Sequence, residues 1–299
     1  MIDNFYYNTI YIIESLDNSE SHTGTMLYEL IKNFEFKYTG VKTFLKTPKT
    51  KIEFFEVLSS INDSVQKHNC LPLIHLETHG NQDGIQCTNK DFITWGELYP
   101  FFIDINIKLK NTLIITTGIC FGTNFYFNVD IDKPAPFFTL ISSVSEITNN
   151  VILDSYERFY NELLNSENFN NAINCLNSDF LKPTDNSIIL KRFILELLTH
   201  YKKLIAELSG KVNFLIISKK INNENEKIDL FIIKYEQQKQ MLIGTLKTIW
   251  SKYLMLDLYP ETKGRYKDIK DLLLENINKL DVDEKLKKDL ATEVIMELT

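Results

Sequence analysis

Two short motifs in this sequence carry residue types able to do covalent chemistry. His79-Gly80 follows the apolar run 71–76 (LPLIHL), and Cys120, flanked by Gly118 and Gly122, follows the apolar run 112–117 (TLIITT). When an imidazole and a thiol meet, the imidazole takes the thiol proton, the thiolate attacks a carbonyl carbon, and the imidazolium returns the proton to the leaving amine. Cys120 is thus the candidate nucleophile and His79 the candidate acid/base. The backbone N–H groups of Gly80 and Cys120 are the candidate oxyanion donors, glycine allowing the close approach such a hole needs.

For these motifs to meet, the runs before them must be neighbouring strands with their carboxyl ends on one edge, where an open parallel sheet gathers its reacting groups. The first half of the chain has that pattern. Short β-branched runs at 9–13, 41–45, 71–76, 112–117 and 137–144 read as strands, and the stretches between them carry apolar residues at helical spacing, as with Leu27, Leu30 and Ile31 or Phe54, Leu58 and Ile61. Asp83-Gly84 marks a small hairpin with arms at 85–87 and 92–93, and a further helix is expected over 153–164. The fold class this gives is α/β, a mostly parallel sheet flanked by helices.

From Phe169 onward the character turns helical, with the longest periodic segments at 188–208 and 241–258. The β-branched and aromatic runs 212–218 and 228–235, separated by the polar stretch 222–225 (NNEN), read as a hairpin inside this region. The expected division is therefore a sheet domain over 1–180 and a mainly helical region over 181–299.

The net charge of −7 argues against a broad nucleic-acid or anionic-lipid footprint. The first residues lack the basic and apolar regions of a secretory leader and no run approaches the ~20 apolar residues of a membrane span, so a cytoplasmic protein without membrane partner is expected. Four cysteines with no CxxC pair give neither a disulfide framework nor a zinc site, and Cys70, Cys87 and Cys175 read as structural thiols. His75 falls inside a β run, which points to packing or a supporting hydrogen bond; Glu77 or Asp83 could orient His79, but a dyad needs no third member and the position is left unassigned.

A His-Gly at one strand end followed by a Cys-x-Gly at the next resembles the caspase-like cysteine peptidases, which include caspases, metacaspases, separases and bacterial CHAT-domain proteins. The spacing of 41 residues (120 − 79) is similar to the ~50 of caspases. The resemblance covers about residues 5–175. It implies a cysteine endopeptidase that uses a Cys–His dyad without cofactor or metal on a specific protein substrate. It also implies control by an activating partner or signal in a bacterial defence or cell-death system, with the C-terminal region as recognition or regulatory module.

Residues 137–160 look like the stretch where, in these families, a strand ends in a substrate-pocket loop, which assigns Ser142, Ser143 and Glu146 to substrate binding. Residues 118–122 (GICFG) depart from the caspase pentapeptide in lacking its Gln and Arg, and no arginine precedes Arg158. Aspartate specificity, which needs a guanidinium, is therefore not expected. Nor does an Asp stand two residues before Cys120, the position that in metacaspase-like enzymes accompanies recognition of basic residues. Two readings compete with the peptidase: a catalytically silent caspase-like binding scaffold, and a doubly wound nucleotide-binding protein with an incidental His and Cys. The latter is weakened because the 21–24 loop (SHTG) has no phosphate-binding glycine pattern.

Overall fold

The computed structural model describes residues 6–35, 40–127, 129–217, 224–279 and 284–298. The first part of the chain runs β1 (Thr9–Ser15), α1 (Thr23–Glu35), β2 (Lys42–Lys46), α2 (Lys51–His68), β3 (Pro72–Gly80), β4 (Gly84–Gln86) and β5 (Phe92–Thr94). It continues through α3 (Trp95–Lys108), β6 (Ile114–Thr117), α4 (Asn124–Phe127), β7 (Thr139–Ser143), α5 (Asn149–Ser166), α6 (Phe169–Asn174) and β8 (Leu181–Asp185). The strand order is β2-β1-β3-β6-β7-β8, parallel except for β8, with the β4–β5 hairpin hung from the end of β3.

The burial of each strand follows from its place in this order. β1, β6 and β7 are buried along their whole length, as interior strands covered on both faces must be, whereas the edge strand β2 has exposed residues. On one face Ile10 and Ile12 of β1, Leu73 of β3, Ile114 of β6 and Ile141 of β7 pack against Leu27 and Ile31 of α1 and Tyr156, Phe159 and Tyr160 of α5. On the other, the Tyr11 hydroxyl reaches Ser64 of α2, and α2 meets α3 through the stacked rings of Phe55 and Phe101.

Helix starts are written in the sequence. Thr50 caps α2 by accepting from the Glu53 N–H, and Thr94 with Glu97 forms a reciprocal capping box on α3.

Cα proximity divides the chain into two units, one of Met1–Asp130 and Pro134–Asn186, the other of Ile131–Lys133 and Ser187–Thr299. The sheet domain runs past residue 180, because β8 pairs antiparallel with β7. This strand was not expected: LKPTD is polar and holds a proline, which an edge strand tolerates and an interior one does not.

The second unit contains α7 (Asn186–Ile217), α8 (Glu224–Thr248) with a π-helical turn at Ile249–Tyr253, a 3₁₀ segment at Pro260–Tyr266, α9 (Lys267–Asn278) and α10 (Glu284–Leu298). The hairpin expected over 212–218 and 228–235 is corrected: 212–217 end α7 and 228–235 lie inside α8. Ser218 and the turn residues Asn222 and Asn223 lie outside the described residues.

The helical period explains the correction. Leu204, Leu208, Val212 and Leu215 continue the spacing of the preceding segment, and Tyr235, Leu242, Leu246 and Ile249, all buried, share one face of the next. That long-range pattern outweighs the local β preference of branched side chains. Among the described residues no helix is long and apolar enough to cross a membrane.

Candidate active site

β3 lies between β1 and β6, so whatever follows these three strands meets at one end of the sheet. The ladder of β3 and β6 keeps a constant offset of 41 (Leu73↔Ile114, 114 − 73) through Leu76↔Thr117 and is extended by the Gly118 N–H bonded to Leu76 O at 2.8 Å. The β3–β6 pairing stops at Leu76↔Thr117, three residues short of both His79 and Cys120. Beyond Leu76, β3 takes a new partner: His79 and Gly80 pair with Gln86 and Ile85 of β4, leaving β6 free to turn into the cysteine loop.

The approach at this point is close. A Cβ on Gly80 would stand 2.3 Å from the Ile119 side chain and 3.4 Å from Cys120 O, so only glycine lets the two strand ends touch without displacement.

The cysteine loop is held from both sides. Phe121 has φ +57°, the Phe121 N–H donates to Ser145 O at 3.1 Å, and the Thr123 N–H donates to Ser143 O at 3.0 Å. A Cβ on Gly122 would lie 2.8 Å from Thr117 Oγ1, and one on Gly118 would lie 2.3–2.5 Å from the Glu77 carboxylate. Both glycines that flank Cys120 are thus required by packing. Cys120 is half-buried, and its Sγ lies 3.8 Å from Ile147 O. Among the described residues the Cys120 N–H makes no backbone hydrogen bond.

His79 projects into solvent, its side chain 53% exposed, with Nε2 2.7 Å from Glu20 Oε1. In this conformation the thiol contact goes to Ile147 O and the imidazole contact to Glu20; no hydrogen bond joins Cys120 to His79. Catalytic hydrogen bonds are commonly long before substrate binds and shorten in the complex.

Glu20 was not singled out by the sequence. It belongs to the polar loop between β1 and α1, and its nearness to His79 follows only from β1 being the other neighbour of β3, with Ser15 opposite Thr78. Of the two residues that could have oriented the ring, Glu77 is turned inward to His75 and Asp83 lies in the turn before β4.

Of the residues assigned to substrate binding, Ser142 and Ser143 are fully buried. The Ser142 hydroxyl meets Thr123 Oγ1 at 3.0 Å and the Ser143 hydroxyl donates to Ser145 O at 2.8 Å, so both brace the cysteine loop rather than line a pocket. Glu146 is exposed, as is Val144 at 45%.

Beneath the loop lies a buried polar network. His75 bonds through Nε2 to Glu77 Oε1 at 2.8 Å and through Nδ1 to Thr116 Oγ1 at 2.7 Å, and Glu77 Oε2 accepts from Thr23 Oγ1 at 2.9 Å. This is the supporting role that a histidine inside a strand suggested. Glu14, beside Glu77 on β1, accepts from the N–H and hydroxyl of Thr25 in the first turn of α1, where the helix dipole favours negative charge. Burial pushes the phenols of Tyr156 and Tyr160 well above their ordinary value, so both stay protonated. Tyr156 donates to Thr117 O at 2.9 Å at the foot of the cysteine loop. Burial likewise pushes the Cys87 thiol up to about 11, which leaves it unreactive at neutral pH.

No family model matches the sequence, and no curated protein matches it.

Proposed function

We propose that this protein is a cysteine endopeptidase in which Cys120 attacks the scissile carbonyl and His79 shuttles the proton. The observation that supports the reading most strongly is the parallel pairing of β3 with β6, whose carboxyl ends lead to His79-Gly80 and to the Cys120 loop, with Gly80 packed against Ile119 and Cys120 O. The chemistry runs in two stages. His79 takes the Cys120 proton, Sγ bonds to the carbonyl carbon, and the oxyanion is met by the Cys120 and Gly80 N–H groups. Collapse of the tetrahedral species breaks the C–N bond, and the imidazolium gives its proton to the departing amine. Water, deprotonated by His79, then cleaves the thioester and restores the thiol.

The substrate follows from the same features by resemblance to caspase-like peptidases: a specific protein partner, engaged under regulation in a defence or cell-death setting. The helical unit would supply recognition or receive the activating signal. An acidic residue at the cleaved bond is disfavoured, since Arg158, the first arginine in the chain, bonds to Asp154 on α5. The test is incubation with a peptide library and with proteins encoded nearby, read by mass spectrometry. Cleavage lost in both Cys120→Ala and His79→Ala supports the peptidase; no cleavage with activator candidates present supports a binding scaffold built on the same sheet.

A further inference from the structure

Glu20 is held in a way that a surface contact is not. Its Oε2 accepts the Asp17 N–H at 2.9 Å, while its own N–H donates to Asp17 O at 2.9 Å. Asp17 in turn is fixed through Oδ1 by the Ser19 N–H at 3.0 Å and the Ser19 hydroxyl at 2.8 Å. This closed turn leaves Oε1 pointing at His79 Nε2, 2.7 Å away. Burial pulls the Glu20 carboxyl upward, but the hydrogen bonds from the Asp17 N–H and from His79 hold it below the usual carboxylate range. It is therefore ionised at neutral pH and can only accept a hydrogen bond.

We infer that Glu20 is the positioning residue of the dyad: its pinned carboxylate keeps the neutral imidazole protonated on Nε2 and so leaves Nδ1 as the atom that receives the Cys120 proton. The inference rests on the peptidase reading above and adds a third member to it. β3 stands between β1 and β6, so the loops bearing Glu20 and Cys120 leave the sheet on either side of it; Glu20 meets the imidazole, and the Cys120 loop meets the next residue, Gly80. As the thiol proton arrives, the imidazolium gains a charged partner, as in other nucleophile–base–carboxylate sets.

The pinning makes an unusual demand of the isosteric variant. In Glu20→Gln the Asp17 N–H can only donate, so it draws the amide oxygen to the Oε2 position and turns the amide NH₂ toward His79 Nε2. That nitrogen must then accept, which puts the imidazole proton on Nδ1, the wrong atom. Glu20→Ala leaves the ring to water and to both tautomers. A supporting role in folding would give the opposite order, with Gln mild and Ala worse.

The experiment measures the rate of iodoacetamide alkylation of Cys120 at neutral pH, by peptide mass spectrometry, in wild type, Glu20→Gln, Glu20→Ala and His79→Ala, with melting curves for each. The expected result is unchanged melting, a loss of roughly 10²-fold for Glu20→Gln, the low end of what general acid/base partners contribute, and a smaller loss for Glu20→Ala. Glu20→Gln at or above the rate of Glu20→Ala overturns the assignment while leaving the dyad intact. A wild-type rate that His79→Ala does not lower overturns the peptidase reading itself, so the two failures are distinct.

Discussion

Replacing Gly118 with alanine tests the packing that supports the cysteine loop. The new methyl carbon would fall 2.3, 2.4 and 2.5 Å from Oε2, Oε1 and Cδ of Glu77. Glu77 cannot simply swing away, because His75 Nε2 at 2.8 Å and Thr23 Oγ1 at 2.9 Å hold its two oxygens in a site 1% exposed. If the loop yields, overpacking costs about 1–3 kcal/mol. If Glu77 yields, a buried hydrogen-bonding group is left unsatisfied, at a cost of about 1–3 kcal/mol. The cheaper route sets the cost, so the destabilisation is about 2 kcal/mol, or about 4–8 °C in Tm for a unit of this size.

The decisive assay is a double-mutant cycle by urea unfolding with Glu77→Ala. Glu77→Ala alone is destabilising, since it strands His75 and Thr23, but it removes the obstacle to the methyl group. Gly118→Ala should then cost at least about 1 kcal/mol less in that background, a coupling typical of residues in contact. Additive effects within about 0.5 kcal/mol would refute the claim that Glu77 is what excludes a side chain at position 118.

Gly84→Ala should be the more damaging glycine substitution, because its Cβ would lie 2.1 Å from Ile93 O and 2.8 Å from Thr94 Cα, both backbone. Loss of the β4–β5 hairpin, seen as faster amide exchange at Ile85 and Ile93, is the expected result; unchanged exchange would contradict it. Glu97 gives a pH signature: the Lys51 ammonium and the Thr94 N–H hold its carboxyl down to about 2. Its folded value lies below the unfolded ~4.3. Its stabilising effect is therefore full above that range and fades as pH falls toward 2. The stability difference between wild type and Glu97→Gln should accordingly shrink from pH 5 to pH 2, and a constant difference would count against the capping pair.

Much of the sheet was legible because its strands are interior. A run such as TLIITT has no polar face, and only a strand covered on both sides accommodates it, so β3 and β6 and the motifs at their ends could be found from residues alone. What the sequence does not encode locally is lateral order. Glu20 lies 59 residues from His79 and joins it only because β1 pairs with β3 rather than with β6. Ser142 and Ser143 were placed in a pocket because they end a strand, yet both are buried within β7 and face Thr123 and the 145 turn. Ser145 and Ile147 meet the cysteine loop through their backbone carbonyls, a contact that side-chain identity does not report. In the helical unit, period carried over a long stretch decided the structure where branched residues suggested strands.

The most direct test of the central claim needs no substrate: the rate at which Cys120, compared with Cys70, Cys87 and Cys175 in the same folded sample, is alkylated at neutral pH with and without His79. Cys120 is expected to be modified first, at least about 10²-fold faster than in the equally folded His79→Ala variant. Slow modification of Cys120 that is indifferent to His79 would contradict a catalytic pair and leave the sheet edge as a binding surface.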